Sequence, residues 1–210
     1  MKIALVSPYD YPFPGGVTEH ISHLYPRFRG EGHEVRILAP SSQADVESAQ
    51  PDVYRLGKTI IPVPANQSIA RLTLSLTLSR RVRQILGYER FDVIHLHEPL
   101  VPALPLTVLR LSKTANVATF HVTRDSYFGY LYAKPLLRRF MNKLHGRIAV
   151  STTARDFVHH YFPGEYRIIP NGIDVEAYER PRPPFPELQD GKINLLFLGR
   201  LEKRKGLIYL

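Results

Sequence analysis

The sequence predicts an α/β protein of the doubly wound class, and three observations carry that prediction. Short, continuously apolar runs rich in valine and isoleucine recur along the 210 residues. Longer amphipathic segments separate them. The first run ends in a turn rich in proline and glycine, Ser7-Pro8-Tyr9-Asp10-Tyr11-Pro12-Phe13-Pro14-Gly15-Gly16, which leads into a helical pattern. Runs that are apolar on both faces suit a parallel sheet covered on both sides. Their alternation with helices gives the doubly wound order.

Strands are expected at residues 3–7, 35–39, 53–56, 60–63, 93–96, 117–120, 148–150, 166–169 and 193–198. Helices are expected at 17–30, 78–86, 102–111, 134–144 and 152–161. Residues 72–78 alternate with period two, as a half-buried strand does, but run into an arginine-rich helical pattern, so strand and helix start both remain open. Arg180-Pro181-Arg182-Pro183-Pro184-Phe185-Pro186 can neither continue a helix nor enter a central strand. It reads as an extended linker. The chain then divides into residues 1–175, a linker at 176–191, and the start of a second unit at 192–210. That second start has its own strand–loop pattern, Ile193-Asn194-Leu195-Leu196-Phe197-Leu198 followed by Gly199-Arg200-Leu201-Glu202-Lys203-Arg204-Lys205-Gly206.

Composition bounds the partners. Hydrophobic residues make up 44% of the chain, enough for a sizeable core. The formal charge is +9 and the pI about 9.8, which favours anionic partners such as nucleic acid, acidic lipid or sugar phosphates. No aromatic RNA-binding strand or recognition-helix pattern accompanies the charge, so no nucleic-acid partner is expected. There is no cysteine and hence no disulfide framework. The apolar run at the amino terminus is too short for a signal peptide, and nothing approaches the roughly 18 apolar residues of a membrane span. A cytoplasmic protein is expected, touching a membrane surface at most.

Several motifs have the residue types that chemistry needs. Gly15 and Gly16 stand before a helix start, where backbone N–H groups and the helix end favour an anion. An ordinary proline-rich turn would read the same way. Gly199, Arg200 and Lys205 form a second phosphate candidate, with arginine as a planar fork and lysine as a point charge; a solvated basic loop is the alternative. His121 closes the run Val117-Ala118-Thr119-Phe120-His121, at the carboxyl end of a strand, where open α/β sheets bind ligands. His95 and His97 share one face of their strand, and with no third ligand in view no metal site is expected. Asn171-Gly172 is a turn signal, either a simple turn or a hinge. Arg80, Arg81 and Arg83 give one helix a basic side opposite Leu78, Val82, Ile85 and Leu86. That pattern fits a helix on an anionic membrane or a core-facing helix with a solvated basic face. Residues 134–144 have the same character.

Taken in order, Val6-Ser7-Pro8-Tyr9, Pro14-Gly15-Gly16-Val17, Gly32-His33-Glu34-Val35, His97-Glu98-Pro99, Ala118-Thr119-Phe120-His121, Arg147-Ile148-Ala149-Val150-Ser151, Ile169-Pro170-Asn171-Gly172-Ile173-Asp174 and Phe197-Leu198-Gly199-Arg200 resemble the family-4 retaining glycosyltransferases of the GT-B fold. Within them the chain is most similar to the phosphatidylinositol mannosyltransferase branch. Pro64-Ala65-Asn66-Gln67-Ser68-Ile69-Ala70-Arg71-Leu72 resembles that branch's acceptor loop, and the helix with Arg80, Arg81 and Arg83 its membrane-docking helix. Thr18, Val122 and Arg124 depart from the branch pattern.

The resemblance implies two Rossmann-like domains with the site in the cleft between them. It implies transfer of a hexose, mannose from GDP-mannose, with retention onto a lipid head group such as phosphatidylinositol, at the inner face of the cell membrane and without a bound cofactor. Gly15 and Gly16 would meet the donor's diphosphate, with Arg200 and Lys205 holding it from the other side. His121 would contact the donor sugar. Tyr9, Asn66, Ser68 and Arg71 would meet the inositol phosphate. Because most nucleotide contacts of the family come from its second domain, these 210 residues on their own are expected to be inactive. A soluble family-4 transferase with a sugar acceptor and a non-enzymatic binding module are the competing expectations.

Overall fold

The structure is a computed structural model that describes residues 1–11, 13–41, 52–57, 60–65, 68–73, 77–122, 128–199, 201 and 205–210; for 60–65, 68–73, 128–129 and 177 it describes the backbone alone. The elements run β1 (Lys2–Val6), α1 (Gly16–Gly30), β2 (Glu34–Ala39), β3 (Val53–Arg55), β4 (Ile60–Ala65), β5 (Ser68–Thr73), α2 (Leu78–Glu89), β6 (Val93–His97), α3 (Leu104–Leu111), β7 (Ala115–Phe120), α4 (Phe128–Met141), β8 (Gly146–Ala149), α5 (Thr152–Tyr161), β9 (Arg167–Ile168) and α6 (Val175–Glu179).

Seven of the strands form one parallel sheet in the order β3-β2-β1-β6-β7-β8-β9. This is the doubly wound order expected from the sequence. The continuous apolar character of β1 follows from its place at the centre. Ala4 and Val6 face one core with Leu38, Ile94, Leu96, Phe120 and the inner sides of α2 to α5. Ile3 and Leu5 face the other core, with Val35, Ile37 and the α1 residues Val17 and Ile21. Alternate residues thus serve opposite layers, and Ile3 to Val6 are apolar throughout.

The opposite rim of the sheet is tied by charge. Glu89, at the end of α2, is buried and forms an ion pair with Lys2 on β1 at 2.5 Å, with Arg36 on β2 at 3.5 Å. It also accepts a hydrogen bond from the Tyr54 hydroxyl on β3. The carboxyl end of α3 is closed by a side chain from another element. Lys143 Nζ donates to the carbonyls of Leu109, Arg110 and Ser112 at 2.6, 2.8 and 2.9 Å. A cation at that end also matches the helix dipole.

Two expectations need correction, one open reading is resolved, and one strand was not foreseen. Residues 193–198 form no strand, and Ile193 and Leu198 are each 92% exposed. A strand exists only where a neighbour completes its ladder of hydrogen bonds, and among the described residues none pairs with this segment; the seven-stranded sheet ends at β3 and β9. The ambiguous stretch at 72–78 divides: β5 closes at Thr73 and α2 opens at Leu78. β5 itself was not anticipated; it pairs antiparallel with β4 as a separate two-stranded sheet. Helix α4 starts at Phe128 rather than 134 and carries Pro135 in its interior.

Replacing Lys143 with methionine keeps the apolar stem and removes three charge-assisted hydrogen bonds. Stability should fall by about 1–3 kcal/mol, read as a lower urea midpoint at pH 7 with an unchanged slope. An unaltered midpoint would show that water closes α3 equally well.

Candidate functional site

The sheet order determines where a ligand can sit. From β1 the chain runs outward to β2 and β3, and from β6 outward the other way to β7 and β8. Connections that diverge from a pair of adjacent parallel strands leave a crevice at their carboxyl ends. Here it lies between the loop after β1 and the loops after β6 and β7.

The loop after β1 is held in place from within. The buried Ser7 hydroxyl donates to the Tyr9 carbonyl at 3.0 Å, and the Ser7 and Tyr11 backbone N–H groups donate to Leu38 and Pro40 on the β2 side, each at 2.9 Å. Asp10 is buried and Tyr9 half-buried in the same loop. Further on, the Thr18 hydroxyl lies 2.8 Å from the Phe13 carbonyl and 2.9 Å from that of Gly15, fixing the approach to α1. The N-cap residue of α1 is Gly15, which has no side chain to cap the helix. Its first-turn N–H groups have no partner within the helix. Nothing stands within 4 Å of where a Gly16 Cβ would lie, so a ligand can reach this backbone. The Gly15 backbone is extended (φ −177°), a conformation open to any residue. The glycines therefore serve access and not geometry.

One turn beyond Gly16, α1 carries His20, which the sequence reading passed over. Its ring meets those of His97 and His121 edge-on, with centroids at 5.5 and 5.4 Å. His97 Nδ1 and His121 Nε2 are 3.0 Å apart. His95 stacks on His97 at 4.6 Å, and its Nε2 lies 2.7 Å from the Thr119 hydroxyl. Four imidazoles thus join α1, β6 and the end of β7. They come together because β6 alternates. Ile94 and Leu96 enter one core, so His95 and His97 must face the other way.

Glu98, next in the chain, is buried and adopts a left-handed backbone (φ 49°). For a residue with a side chain that conformation is strained. It lets one carboxylate oxygen accept both the His121 N–H and, at 2.7 Å, the Val122 N–H. The segment bearing His121 is thereby held against the end of β6.

Burial sets the charge state. Removal from water, with smaller contributions from the neighbouring imidazoles, lowers His121 to about 3 and His95 to about 4. The same causes take His97 well below its ordinary value, and burial, with a smaller contribution from His23, lowers His20. At neutral pH the cluster is uncharged, so His121 offers a ligand hydrogen bonds and not a cation. No group of three or more potential metal ligands occurs among the described residues.

The remaining expected site residues are placed as follows. Ser68 and Arg71 lie on β5, opposite Ala65 and Pro62 of β4. Asn66 and Arg200 lie outside the described residues. Lys205 is exposed, just before Gly206. Arg80, Arg81 and Arg83 are exposed on α2, while Leu78 and Val82 are buried and Ile85 and Leu86 pack against the core. Of the two readings left open for this helix, the apolar side therefore faces the core and the basic side faces solvent. No helix among the described residues is long and apolar enough to cross a membrane.

Residues 14–177 match the sequence profile of Glycosyltransferase Family 4. The chain is 36% identical over 211 aligned positions to the phosphatidyl-myo-inositol mannosyltransferase of Mycobacterium tuberculosis H37Rv, covering 100% of this chain and 55% of that protein. It is 34% identical to the enzyme of the same name from Propionibacterium freudenreichii, covering 98% of this chain and 55% of the relative. The chain spans about half the length of the curated relatives it matches. Among solved structures, the sucrose-phosphate synthase of Thermosynechococcus elongatus superposes with a TM-score of 0.62 at 17% identity, over 83% of this chain and 49% of that one. Anabaena HepE, solved with UDP-glucose, gives 0.56 at 16% identity, over 85% and 46%. These likenesses agree with the GT-B-type α/β fold expected from the sequence.

The neutral histidines make stability depend on pH. Their folded pKa values lie below the unfolded value of about 6.5, so their contribution is complete above that pH and is lost as pH falls toward the folded values. Each histidine that stays neutral in the fold should cost about 1.4 kcal/mol per pH unit below 6.5. Urea midpoints measured from pH 8 to 5 should drop steeply below about 6.5; a flat profile would mean that the cluster takes up protons while folded.

Proposed function

We propose that this chain, which belongs to Glycosyltransferase Family 4, carries the acceptor half of an enzyme that transfers mannose from GDP-mannose, with retention, onto the head group of phosphatidylinositol. The observation that carries this reading is identity of 36% along the whole chain to phosphatidyl-myo-inositol mannosyltransferases. The crevice supports it chemically. An open helix end suits a diphosphate, and a neutral imidazole suits a sugar hydroxyl or a phosphate oxygen.

Residues 1–175 are the acceptor-binding domain in this reading, 176–191 the linker, and 192–210 the opening of the nucleotide-sugar domain. The exposed apolar side chains Ile193, Leu195, Leu196 and Leu198 support the last assignment, since they need a covering layer. The acceptor hydroxyl attacks the anomeric carbon on the face that the diphosphate leaves. The new C–O bond forms as the old one breaks, and the hydroxyl proton passes to a diphosphate oxygen. Gly15 and Gly16 admit that diphosphate to the α1 end, and Arg200 and Lys205 offset its growing charge. His121 contacts the donor, while Tyr9, Asn66, Ser68 and Arg71 meet the inositol phosphate. Arg80, Arg81 and Arg83 hold the protein at the inner face of the cell membrane.

Two measurements on the full-length protein test this. With GDP-mannose and phosphatidylinositol vesicles, His121→Ala should lower kcat/KM by about 100-fold or more, and the 210-residue chain alone should transfer nothing. Transfer only to a soluble sugar would favour the soluble family-4 reading. In liposome sedimentation at low salt, the triple change Arg80/Arg81/Arg83→Glu should weaken binding to anionic vesicles by roughly 100-fold. That figure takes about 1 kcal/mol for each basic residue at the surface. Undiminished binding would remove α2 from the docking surface.

A further inference from the structure

We propose that His97 is a positioning residue that decides which nitrogen of His121 carries the proton: His97 Nδ1–H donates to His121 Nε2, so His121 is held as its Nδ1–H form and offers that N–H to an oxygen of the substrate. The geometry of the pair stands independently of any substrate; only the role of the offered N–H rests on the transferase reading.

Two neutral imidazoles 3.0 Å apart share a single proton between the facing nitrogens. Two arrangements are possible. In one, His97 holds its proton on Nδ1 and its Nε2 is a bare lone pair. In the other, His121 donates from Nε2, and His97 must carry its proton on Nε2. The structure separates the two, because His97 Nε2 is buried and has no hydrogen-bond partner among the described residues. A buried N–H with no acceptor is among the rarest features of a fold, whereas an unused lone pair is better tolerated. The first arrangement is therefore favoured. It assigns the proton of His121 to Nδ1, the ring nitrogen that has no hydrogen-bond partner among the described residues. A free histidine side chain prefers the opposite form, with the proton on Nε2, so the His97 contact reverses the ordinary preference.

The surroundings keep the pair in this state. The ring of His95 stacks on His97, and the ring of His20 meets it edge-on. Glu98 binds the His121 backbone N–H and holds the residue in register with β6. Burial keeps both rings neutral, which the single shared proton requires. An N–H fixed in advance can donate to a hydroxyl of the donor sugar or to a diphosphate oxygen without first finding its tautomer.

The test uses the full-length protein labelled with 15N in its histidines, at pH 7. Two-bond 1H–15N spectra report the tautomer of each ring, and His121 should show a protonated Nδ1 and a bare Nε2. His97→Asn places an amide N–H near the Nδ1 position, and should keep that pattern and most of the turnover. His97→Phe removes the donor. It should shift His121 toward the Nε2–H form and lower kcat at least tenfold, with a smaller change in KM. A His121 that carries its proton on Nε2 in the unaltered protein overturns the proposal, as does a His97→Phe variant whose His121 tautomer is unchanged. If His97→Phe does not fold, the unaltered and His97→Asn spectra decide. The expected tautomers together with no mannosyl transfer from any variant would leave the pairing standing and refute the substrate assignment.

Discussion

The crevice depends on the pairing of β1 between β2 and β6. Val6 lies opposite Leu38 on one side and Leu96 on the other, so three strands end on the same rim. The pairing is parallel, and every strand in it needs cover on both faces. β1 obtains that cover by giving alternate residues to two cores. A substitution that shifted β1 by one residue would exchange the two sets of side chains and move the Ser7–Gly16 loop from the histidines. Chemistry on this rim is thus a consequence of burial several ångströms below it.

Charge works at two ranges in this protein. The net charge of +9 draws anions from a distance. At the crevice itself, the described wall is formed by neutral imidazoles and the open end of a helix. For an anion that binds at this rim, as proposed above, long-range attraction would serve approach and short, directional hydrogen bonds would serve orientation. Desolvation makes this division possible, because it costs little to bury a neutral imidazole compared with its protonated form. Glu98 is an acidic exception, alongside the buried Asp10. Its carboxylate is buried, and two backbone N–H groups satisfy one of its oxygens.

Most of the sheet was legible in the sequence because buried parallel strands are written as apolar runs. The start of α1 was legible for a different reason, since Gly15-Gly16-Val17 joins access to the onset of a 3.6-residue period. The β4–β5 hairpin was not. Its first strand was expected at 60–63 and is β4, but β5 was not anticipated, and the pairing of Pro62 with Arg71 and of Pro64 with Ile69 shows that an edge position tolerates the prolines. His121 could be picked out because it ends a strand, but His20 could not. Its partners are 77 and 101 positions away, and no local pattern records that distance. A usable signal was present in Val93-Ile94-His95-Leu96-His97, where a polar alternation interrupts a strand expected to be apolar throughout. Residues 193–198 failed the opposite way. Their composition is that of a buried strand, but a strand is defined by its neighbours, and composition carries no information about whether those are present.

The helix α2 shows how packing narrows a functional reading. An amphipathic helix has one apolar side, and it can bury that side only once. In α2 the core has taken it, through Leu78, Val82, Ile85 and Leu86. Any attraction between α2 and a lipid surface must then come from Arg80, Arg81 and Arg83, with Tyr88 as the one large exposed aromatic on the helix. Such attraction is screened within about 8–10 Å at physiological salt, so it could hold a protein against an anionic surface but not insert it. Helix α4 is built differently. Leu131, Tyr132 and Leu136 are exposed on it beside Arg138 and Arg139, and it contains no acidic residue. Of the two basic helices, α4 exposes several apolar side chains, whereas α2 exposes charge with Tyr88 alone beside it.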